Sequence, residues 1–444
     1  MSAMARTPKA LVPLRTPAYR WLFGSLVASV LGSGLVVVAM FWQIVELGGG
    51  PGQVSFVMTA TGLGMIATTL LGGALADRVP QKRILLVVEV VNAVALGVAA
   101  GLAFAGVLEV WQLAVGSLLT GLAAGLYYPA YSAVLPSLLA PEDLLAANGI
   151  EGMLRPALMQ AGGPALAAAL VATWSPGLAL AVAAVCALVA GAFVLGMPLT
   201  PVRREQVDDG THPVRQVLVD VRDGFVYMAR TPWLLATLVF ASVMVLVMLG
   251  PFEVLAPFAI KDRAGGGPAE HAWVLASFGV GGALGSLVMA SLRLPRRYLT
   301  VMNLVWGLSC VPLVVFGTAT SVWPMVAAGF VMGAGFQGAT VIWGTLLQRR
   351  VPSHMLGRVS SLDFFVSLAF MPVSMALAGP VSTLVGLQAT FLVAGLAPPV
   401  LAVVAILWAR LPADELAHPL DVPADPADPA DPADADASPL SKTS

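Results

Sequence analysis

The chain has 444 residues, of which 58% are hydrophobic and 11% are charged, with a formal net charge of -1. Soluble proteins usually carry about a quarter charged residues, so this composition excludes an ordinary water-facing surface. The near-neutral charge also excludes nucleic-acid binding, which requires clustered basic residues. The two cysteines lie in separate apolar segments and imply neither a disulfide framework nor a cysteine-based metal site.

Apolar stretches long enough to cross a bilayer recur along most of the chain. A membrane-spanning helix needs roughly 20 apolar residues, and runs of that length are separated here by polar or Pro/Gly-rich breaks. The first run is too long for the apolar core of a signal peptide, so we expect it to remain as a span. The twelve predicted spans are 19–47, 53–76, 82–105, 110–138, 146–172, 176–197, 232–260, 270–292, 297–317, 322–347, 355–384 and 387–409.

The basic residues predict the orientation of these spans. With the N-terminus placed inside, every Lys and Arg except Lys261 and Arg263 is assigned to the cytoplasmic side, as the positive-inside rule requires. Both termini are therefore predicted to be cytoplasmic. The predicted organisation is a cytoplasmic N-terminus (1–18), a six-helix bundle (19–197), a central cytoplasmic loop (198–231), a second six-helix bundle (232–409) and a disordered acidic cytoplasmic tail (410–444).

Short repeats indicate that the two halves are equivalent. Gly72-Gly-Ala-Leu followed by Pro80 recurs as Gly281-Gly-Ala-Leu followed by Pro295. Duplicated bundles with a binding site at their interface are typical of transporters. The expected fold class is thus an all-α membrane protein with twelve transmembrane helices in two pseudo-symmetric six-helix bundles.

A motif between the second and third spans resembles the signature of the major facilitator superfamily. It reads Gly72-Gly-Ala-Leu-Ala-Asp-Arg-Val-Pro-Gln-Lys-Arg83, against the family pattern Gly-x-Leu-Ala-Asp-Arg-x-Gly-Arg-Lys. Pro80 stands where the family often has glycine. The resemblance implies two rocking bundles whose cytoplasmic side is closed by this motif. The implied gating residues are Gly73, Asp77, Arg78, Lys82 and Arg83, with Arg358 and Asp363 at the start of span eleven as their partners.

The residue types of the motif fit that role. Gly73 permits close approach of a second helix, and Asp77 can face the positive N-terminal end of a neighbouring helix. The basic residues can then hold a carboxylate across the bundle interface. The alternative is that Arg78, Lys82 and Arg83 only follow the positive-inside rule.

The fourth and fifth spans resemble exporters within that superfamily. Gly162-Gly-Pro-Ala-Leu in span five is similar to an antiporter motif, and Gly163 with Pro164 is expected to bend the helix, although ordinary packing explains these residues equally well. Ser117 occupies the position of a membrane-embedded arginine in drug exporters, so proton coupling through that arginine is not implied. Pro141-Glu-Asp-Leu-Leu-Ala-Ala-Asn148 is similar to a sequence of the macrolide, siderophore and lysophospholipid exporter branch.

Three carboxylates at membrane depth are candidates for proton coupling, because an ionisable group there is costly and usually functional. Glu253 lies between Gly250-Pro251 and Pro257, where the seventh span is expected to be kinked or unwound. Asp363 and Glu89 are the others. Each has an alternative: Glu253 as an interfacial residue beside Lys261, Asp363 as a gating residue, and Glu89 as a structural polar contact.

Aromatic, amide and thioether side chains of spans four, seven and ten are candidates for the substrate cavity. Amphiphilic ligands are held mainly by burial with a few hydrogen-bonding groups. Such residues are also common in ordinary helix packing, which is the alternative for each. The cavity candidates are Tyr127, Tyr131, Met244, Met248, Gln337 and Trp343.

The sequence predicts a proton-coupled exporter of an amphiphilic small molecule such as a drug, antibiotic or siderophore. The alternatives are a proton-coupled importer of a metabolite and a non-transporting receptor or membrane enzyme. His212, His271, His354 and His418 are assigned to loops or tails, which argues against a catalytic centre at membrane depth. We expect a monomer in a bacterial inner membrane, with no metal or cofactor, driven by a proton gradient.

Overall fold

The computed structural model describes residues 9–76, 79–198, 222, 224–292, 294–352, 359, 363, 365–366 and 369–420, and all structural statements concern these residues. Within them the chain forms helices and no strand. The principal α-helices are α1 (Pro17–Glu46), α2 (Pro51–Ala76), α3 (Gln81–Phe104), α4 (Val110–Leu138), α5 (Pro141–Pro156), α6 (Gly163–Thr173), α7 (Pro176–Gly196), α8 (Pro232–Gly250), α9 (Ala256–Phe258), α10 (Pro268–Ser291), α11 (Tyr298–Ser309), α12 (Leu313–Thr318), α13 (Val322–Arg350), α14 (Met371–Val385), α15 (Leu387–Trp408) and α16 (Leu411–Ala417). A 3-10 helix covers Lys9–Arg15, and π-helical segments cover Ala157–Gly162, Pro251–Leu255 and Ala259–Arg263.

The all-helical membrane fold is confirmed. Ten helical stretches of the described chain are long and apolar enough to cross a membrane, and they coincide with ten of the twelve predicted spans. The remaining two spans correspond to α2, with 26 residues, and α14, with 15 residues. Because several residues before α14 lie outside the described chain, the count of twelve stays a prediction.

Local sequence explains where the helices begin and how they turn. Pro17, Pro176 and Pro232 each open a helix at a position where a missing N–H costs nothing. The hydroxyl of Ser175 caps α7 by accepting a hydrogen bond from the amide of Leu178 at 3.2 Å. These residues therefore mark the starts of α1, α7 and α8.

Equivalent pairs of spans pack against each other through glycine in the two halves. In the first half α2 packs along α4, and in the second half α10 packs along α13. A Cβ atom on Gly125 would lie 2.5 Å from the carbonyl oxygen of Met65, and one on Gly329 would lie 3.1 Å from that of Val274. Only glycine allows such backbone approach, so equivalent spans of the two halves pack against each other in the same way.

The predicted disorder of the tail is wrong for its first residues. Leu411 is fully buried, and Asp414 forms an ion pair with Arg350 at the end of α13. The carboxylate of Glu415 accepts hydrogen bonds from the amides of Leu299 and Thr300 at 2.9 and 3.1 Å. A carboxylate at a helix N-terminus satisfies amides that have no partner within the helix. Residues 411–417 therefore dock as α16, while residues 421–444 lie outside the described chain.

Candidate functional site: the interface between the two helical bundles

Helices from the two halves of the chain meet along two contact lines. One joins α2 to α14, and the other joins α6 and its preceding π-helical segment to α10. The hydroxyl oxygen of Ser55 on α2 accepts a hydrogen bond from the amide of Gly379 on α14 at 2.8 Å. This contact lies near the turn between α1 and α2, and we call that end of the molecule the Pro51 end.

The second contact line passes the predicted helix-bending motif. Gly163 and Pro164 follow directly after the π-helical segment Ala157–Gly162, where the regular α-helical hydrogen bonding is interrupted. A Cβ atom on Gly163 would lie 2.6 Å from the Cα of Gly34 on α1. Gln160 lies within the π-helical segment and packs closely against α10. A Cβ atom on Gly279 of α10 would lie 2.7 Å from the Oε1 atom of Gln160. The irregular segment thus sits where the fifth span contacts both its own bundle and the other one.

Glu253 lies in a cavity between the bundles at the Pro51 end. The helix α8 continues beyond Pro251 as π-helical turns on both sides of α9, so the segment predicted to be kinked or unwound is helical and irregular. The cavity has a volume of about 30 Å³. Its walls come from spans one, two, seven and eight, with Val37, Met40, Phe41, Ile44, Val54, Met58, Phe252, Glu253, Pro257, His271 and Leu275.

His271 was assigned to a loop from the sequence, although the residue falls at the start of predicted span eight (270–292), and the structure shows that the loop assignment was wrong. It lies in the first turn of α10, is only 5% exposed and lines the same cavity as Glu253. Its ring packs edge-on against Phe41 of the other half, with ring centroids 5.7 Å apart, and Phe41 also contacts Phe258 at 5.0 Å. The Nδ1 atom of His271 has no hydrogen-bond partner among the described residues. Its position directly after Glu270 at a Pro-initiated helix start was the one available signal in the sequence.

A second polar cluster lies inside the first half. The guanidinium of Arg155 pairs with Glu151 at 2.5 Å, as expected for residues four apart on one helix. The same guanidinium lies over the rings of Tyr127 and Tyr131, with its Cζ atom 5.7 and 5.6 Å from the two centroids. The two tyrosine rings stack at 5.9 Å. Tyr127 and Tyr131, two of the candidates for the substrate cavity, therefore contact Arg155 of their own bundle.

Glu89 is buried beside this cluster. It is 1% exposed, and the hydroxyl of Ser29 on α1 lies near its carboxyl group. Its Cβ faces α7 at Gly191, and its charge is within electrostatic range of Tyr127. A charged carboxyl group in an apolar interior is costly, which keeps Glu89 a candidate for proton binding.

The remaining cavity candidates lie in the second half. Met244 and Met248 on α8 are 1% and 5% exposed. Gln337 packs against α10, where a Cβ on Gly282 would lie 2.9 Å from its Cγ atom. The indole nitrogen of Trp343 donates a hydrogen bond to Asp363 at 3.0 Å, which ties one cavity candidate to one proton-coupling candidate.

The described part of the gating motif has its contacts within one bundle. Lys82 donates hydrogen bonds to the carbonyl oxygens of Leu195 at 2.8 Å and Met197 at 2.5 Å, at the end of α7. A cation is favoured there because the carbonyls at a helix C-terminus carry partial negative charge. Gly73 lies in α2 and Arg83 is exposed. Asp77, Arg78 and Arg358 lie outside the described residues, so the gating role stays a prediction.

The fold and this interface define a class of protein, a polytopic helical membrane protein built from two bundles. Solved structures with the same fold include the nucleoside transporter NupG, with a TM-score of 0.71 and 13% identity over 88% of this chain and 98% of that one. Another is a POT family transporter in complex with 5-aminolevulinic acid, with a TM-score of 0.69 and 13% identity over 90% and 96% of the two chains.

Sequence comparison shows the family directly. Residues 8–429 match the transmembrane secretion effector family, so the chain belongs to that family of the major facilitator superfamily. It is 27% identical to the multidrug efflux pump Tap of Mycolicibacterium fortuitum over 91% of this chain and 98% of the relative. It is 29% identical to Tap of Mycobacterium tuberculosis strain H37Rv, over 90% and 94%. It is 28% identical to the enterobactin exporter EntS of Escherichia coli strain HS, over 78% and 80%.

Proposed function

We propose that this chain is a secondary active exporter that couples proton entry to the export of an amphiphilic small molecule by alternating access. The observation that carries the proposal is the position of Glu253 in the wall of a small cavity between the two bundles. Separation of the bundles would change how far a carboxyl group held there is accessible to water. Proton binding and bundle movement are then linked, as coupled transport requires.

The relatives support export as the direction and amphiphiles as the substrate class. One of the relatives is a multidrug efflux pump, and another is an enterobactin exporter. The cavity candidates supply aromatic, thioether and amide surface, which holds amphiphiles through burial and few hydrogen bonds. The proposed substrate is a drug, antibiotic or siderophore.

The proposal places the chain as a monomer in a bacterial inner membrane with both termini in the cytoplasm. The positive-inside distribution supports this orientation, and it puts the Pro51 end at the exterior. The sequence contains no phosphate-binding loop of the Gly-x-x-x-x-Gly-Lys-Ser/Thr type, which favours an ion gradient over ATP as the driving force. The family supports a transport role.

Accumulation in cells tests the proposal. Cells that produce the protein should accumulate several-fold less ethidium or macrolide antibiotic than cells without it, and an uncoupler should abolish the difference. Glu253→Gln should abolish it as well, because the amide cannot exchange a proton. The matched control is Glu46→Gln, which makes the same change at an exposed residue of the Pro51 end. Higher accumulation in producing cells would indicate import, and equal accumulation of both probes would contradict the proposal.

A further inference from the structure

The cavity around Glu253 contains two titratable groups, and the proton-coupling role proposed for Glu253 uses only one of them. A volume of about 30 Å³ has room for about two water molecules. Apart from Glu253 and His271 its wall is entirely apolar. An enclosed water needs polar partners, and these two side chains are the ones that the wall provides.

The environment of His271 points to a ligand in this cavity. The side chain is about nineteen-twentieths buried, and its Nδ1 atom has no partner among the described residues. A buried polar atom of this kind usually bonds to an ordered water when no protein group is available. Since both groups border the same water-sized space, a water there can bridge the imidazole and the carboxyl group.

The net charge of Glu253 and His271 together decides whether the closed arrangement of the two bundles is favourable. A net charge in an apolar cavity costs far more than the same charge in water. The pair is neutral overall when it holds one proton, either as carboxylic acid with neutral imidazole or as carboxylate with imidazolium. Moving that proton through the bridging water changes no net charge. Losing it leaves one negative charge, and gaining a second proton from water leaves one positive charge.

We infer that Glu253 and His271 form a water-bridged, proton-binding pair that keeps the two bundles closed at the Pro51 end while it holds one proton. Either departure from one proton favours separation of the bundles, because water then reaches the charge. The inference rests on the proposed function for the statement that this end faces the exterior. It adds His271 as a second proton-binding residue and assigns the pair a gating role.

The other charged groups near this end have their own partners outside the cavity. Glu270 accepts a hydrogen bond from the amide of Gly267 at 2.7 Å, and Lys261 pairs with Asp262 at 2.9 Å. Arg263 donates to the carbonyl of Thr318, and Glu46 is exposed and accepts a bond from Gln43. Five other helices border the cavity or the π-helical turns around α9. None of them contains a titratable side chain: α2, α8, α12, α14 and α15.

The test measures opening of this end as a function of pH without any substrate. Spin labels are placed at Leu47→Cys and Leu384→Cys, which lie in different halves and are 37% and 83% exposed, with Cys186→Ala and Cys310→Ala as background. Distance distributions are recorded for the full chain in lipid nanodiscs between about pH 5 and about pH 9, the range in which such groups titrate. The parent should be most closed at an intermediate pH and should open on both sides, by at most about tenfold in the open-to-closed ratio per pH unit for one proton.

Each variant should remove one side of this profile. His271→Gln and the apolar His271→Leu should lose the opening at low pH and keep the opening at high pH. Glu253→Gln should do the reverse, and the double variant should not respond to pH. The control Glu270→Gln changes the neighbouring surface charge and should leave the profile unchanged.

Three results would overturn the inference. These are a parent that does not respond to pH, a His271→Gln variant that still opens at low pH, or an equal loss of that opening in Glu270→Gln. The outcome is separable from that of the proposed function. Failure of export with the two-sided profile intact would contradict only the proposed function, whereas export with a flat profile would contradict only the gating pair.

Discussion

Arg155 is a charged residue within a span that is held by an ion pair and by aromatic rings. The Arg155 guanidinium is bound by Glu151 and covered by two tyrosines, and the pair is only partly exposed, with 28% of the arginine and 13% of the glutamate side chain accessible. The i,i+4 spacing made this ion pair predictable. The tyrosine faces come from another helix, and no local pattern in the sequence indicates that contact.

Breaking the Arg155 pair from one side should destabilise the protein. Glu151→Gln leaves a largely buried cation with only aromatic contacts, and we expect a loss of about 1–3 kcal/mol in the free energy of unfolding. Replacing both residues, with Glu151→Leu and Arg155→Met, should recover most of that loss, because no uncompensated charge remains. Thermal unfolding of the parent and the two variants in detergent compares their stabilities. A double variant less stable than Glu151→Gln would show that the pair itself stabilises the bundle.

The gating prediction at Asp77 is also tested at the scale of one residue. Asp77→Asn removes the charge that can face a helix N-terminus, and we expect impaired transport with normal amounts of protein in the membrane. Efflux and membrane content are measured in the same cells. Normal efflux by this variant would remove the gating role of the motif.

The helices show two kinds of close contact, one within a bundle and one between bundles. Gly163 and Gly34 touch inside the first half, whereas Gly379 lies against Pro51 and Ser55 of the opposite half. The apolar runs predicted the positions of most helices, because twenty apolar residues leave few alternatives in lipid. The sequence indicated a bend at Gly163-Pro164 and a kink near Pro251, but not the π-helical form of these segments. Residues 411–417 were mispredicted because acidic composition indicates solvent exposure, while Arg350 and the start of α11 bind their carboxylates.

Two glycine substitutions should separate permanent contacts from transient ones. A Cβ on Gly163 meets backbone within one bundle, so Gly163→Ala should cost about 1–3 kcal/mol of stability through overpacking. A Cβ on Gly379 would lie 2.7 Å from the Pro51 carbonyl oxygen of the other half, and separation of the bundles relieves that clash. Gly379→Ala should therefore lower the closed-to-open ratio about tenfold while changing the unfolding temperature little.

The control for both is Gly101→Ala, where an added Cβ meets no atom within 4 Å. Thermal unfolding and the distance between labels at Leu47→Cys and Leu384→Cys give the two readouts. If Gly379→Ala lowered the unfolding temperature as much as Gly163→Ala and left the label distance unchanged, the α2–α14 contact would be permanent.

At the scale of the whole molecule, the structure is two helical bundles closed on each other around a small cavity at one end. Both walls of that cavity carry apolar side chains, while its two polar groups come from spans seven and eight of the same half. The sequence identified Glu253 because a carboxylate between prolines at membrane depth is unusual. His271 was not identified from the sequence, because this residue closely follows a glycine-rich turn. The burial of His271 also depends on Phe41, which lies more than two hundred positions away in the sequence.

The most direct test of coupled export is the sign of proton movement in proteoliposomes. Protein is reconstituted with the Pro51 end facing the lumen, the lumen is made acidic, and lumenal pH and ethidium content are followed together. The account predicts that ethidium enters the lumen as protons leave it, and that Glu253→Gln shows neither flux while Glu46→Gln shows both. Ethidium uptake that does not change with the imposed pH difference, or protons moving in the same direction as ethidium, would contradict it.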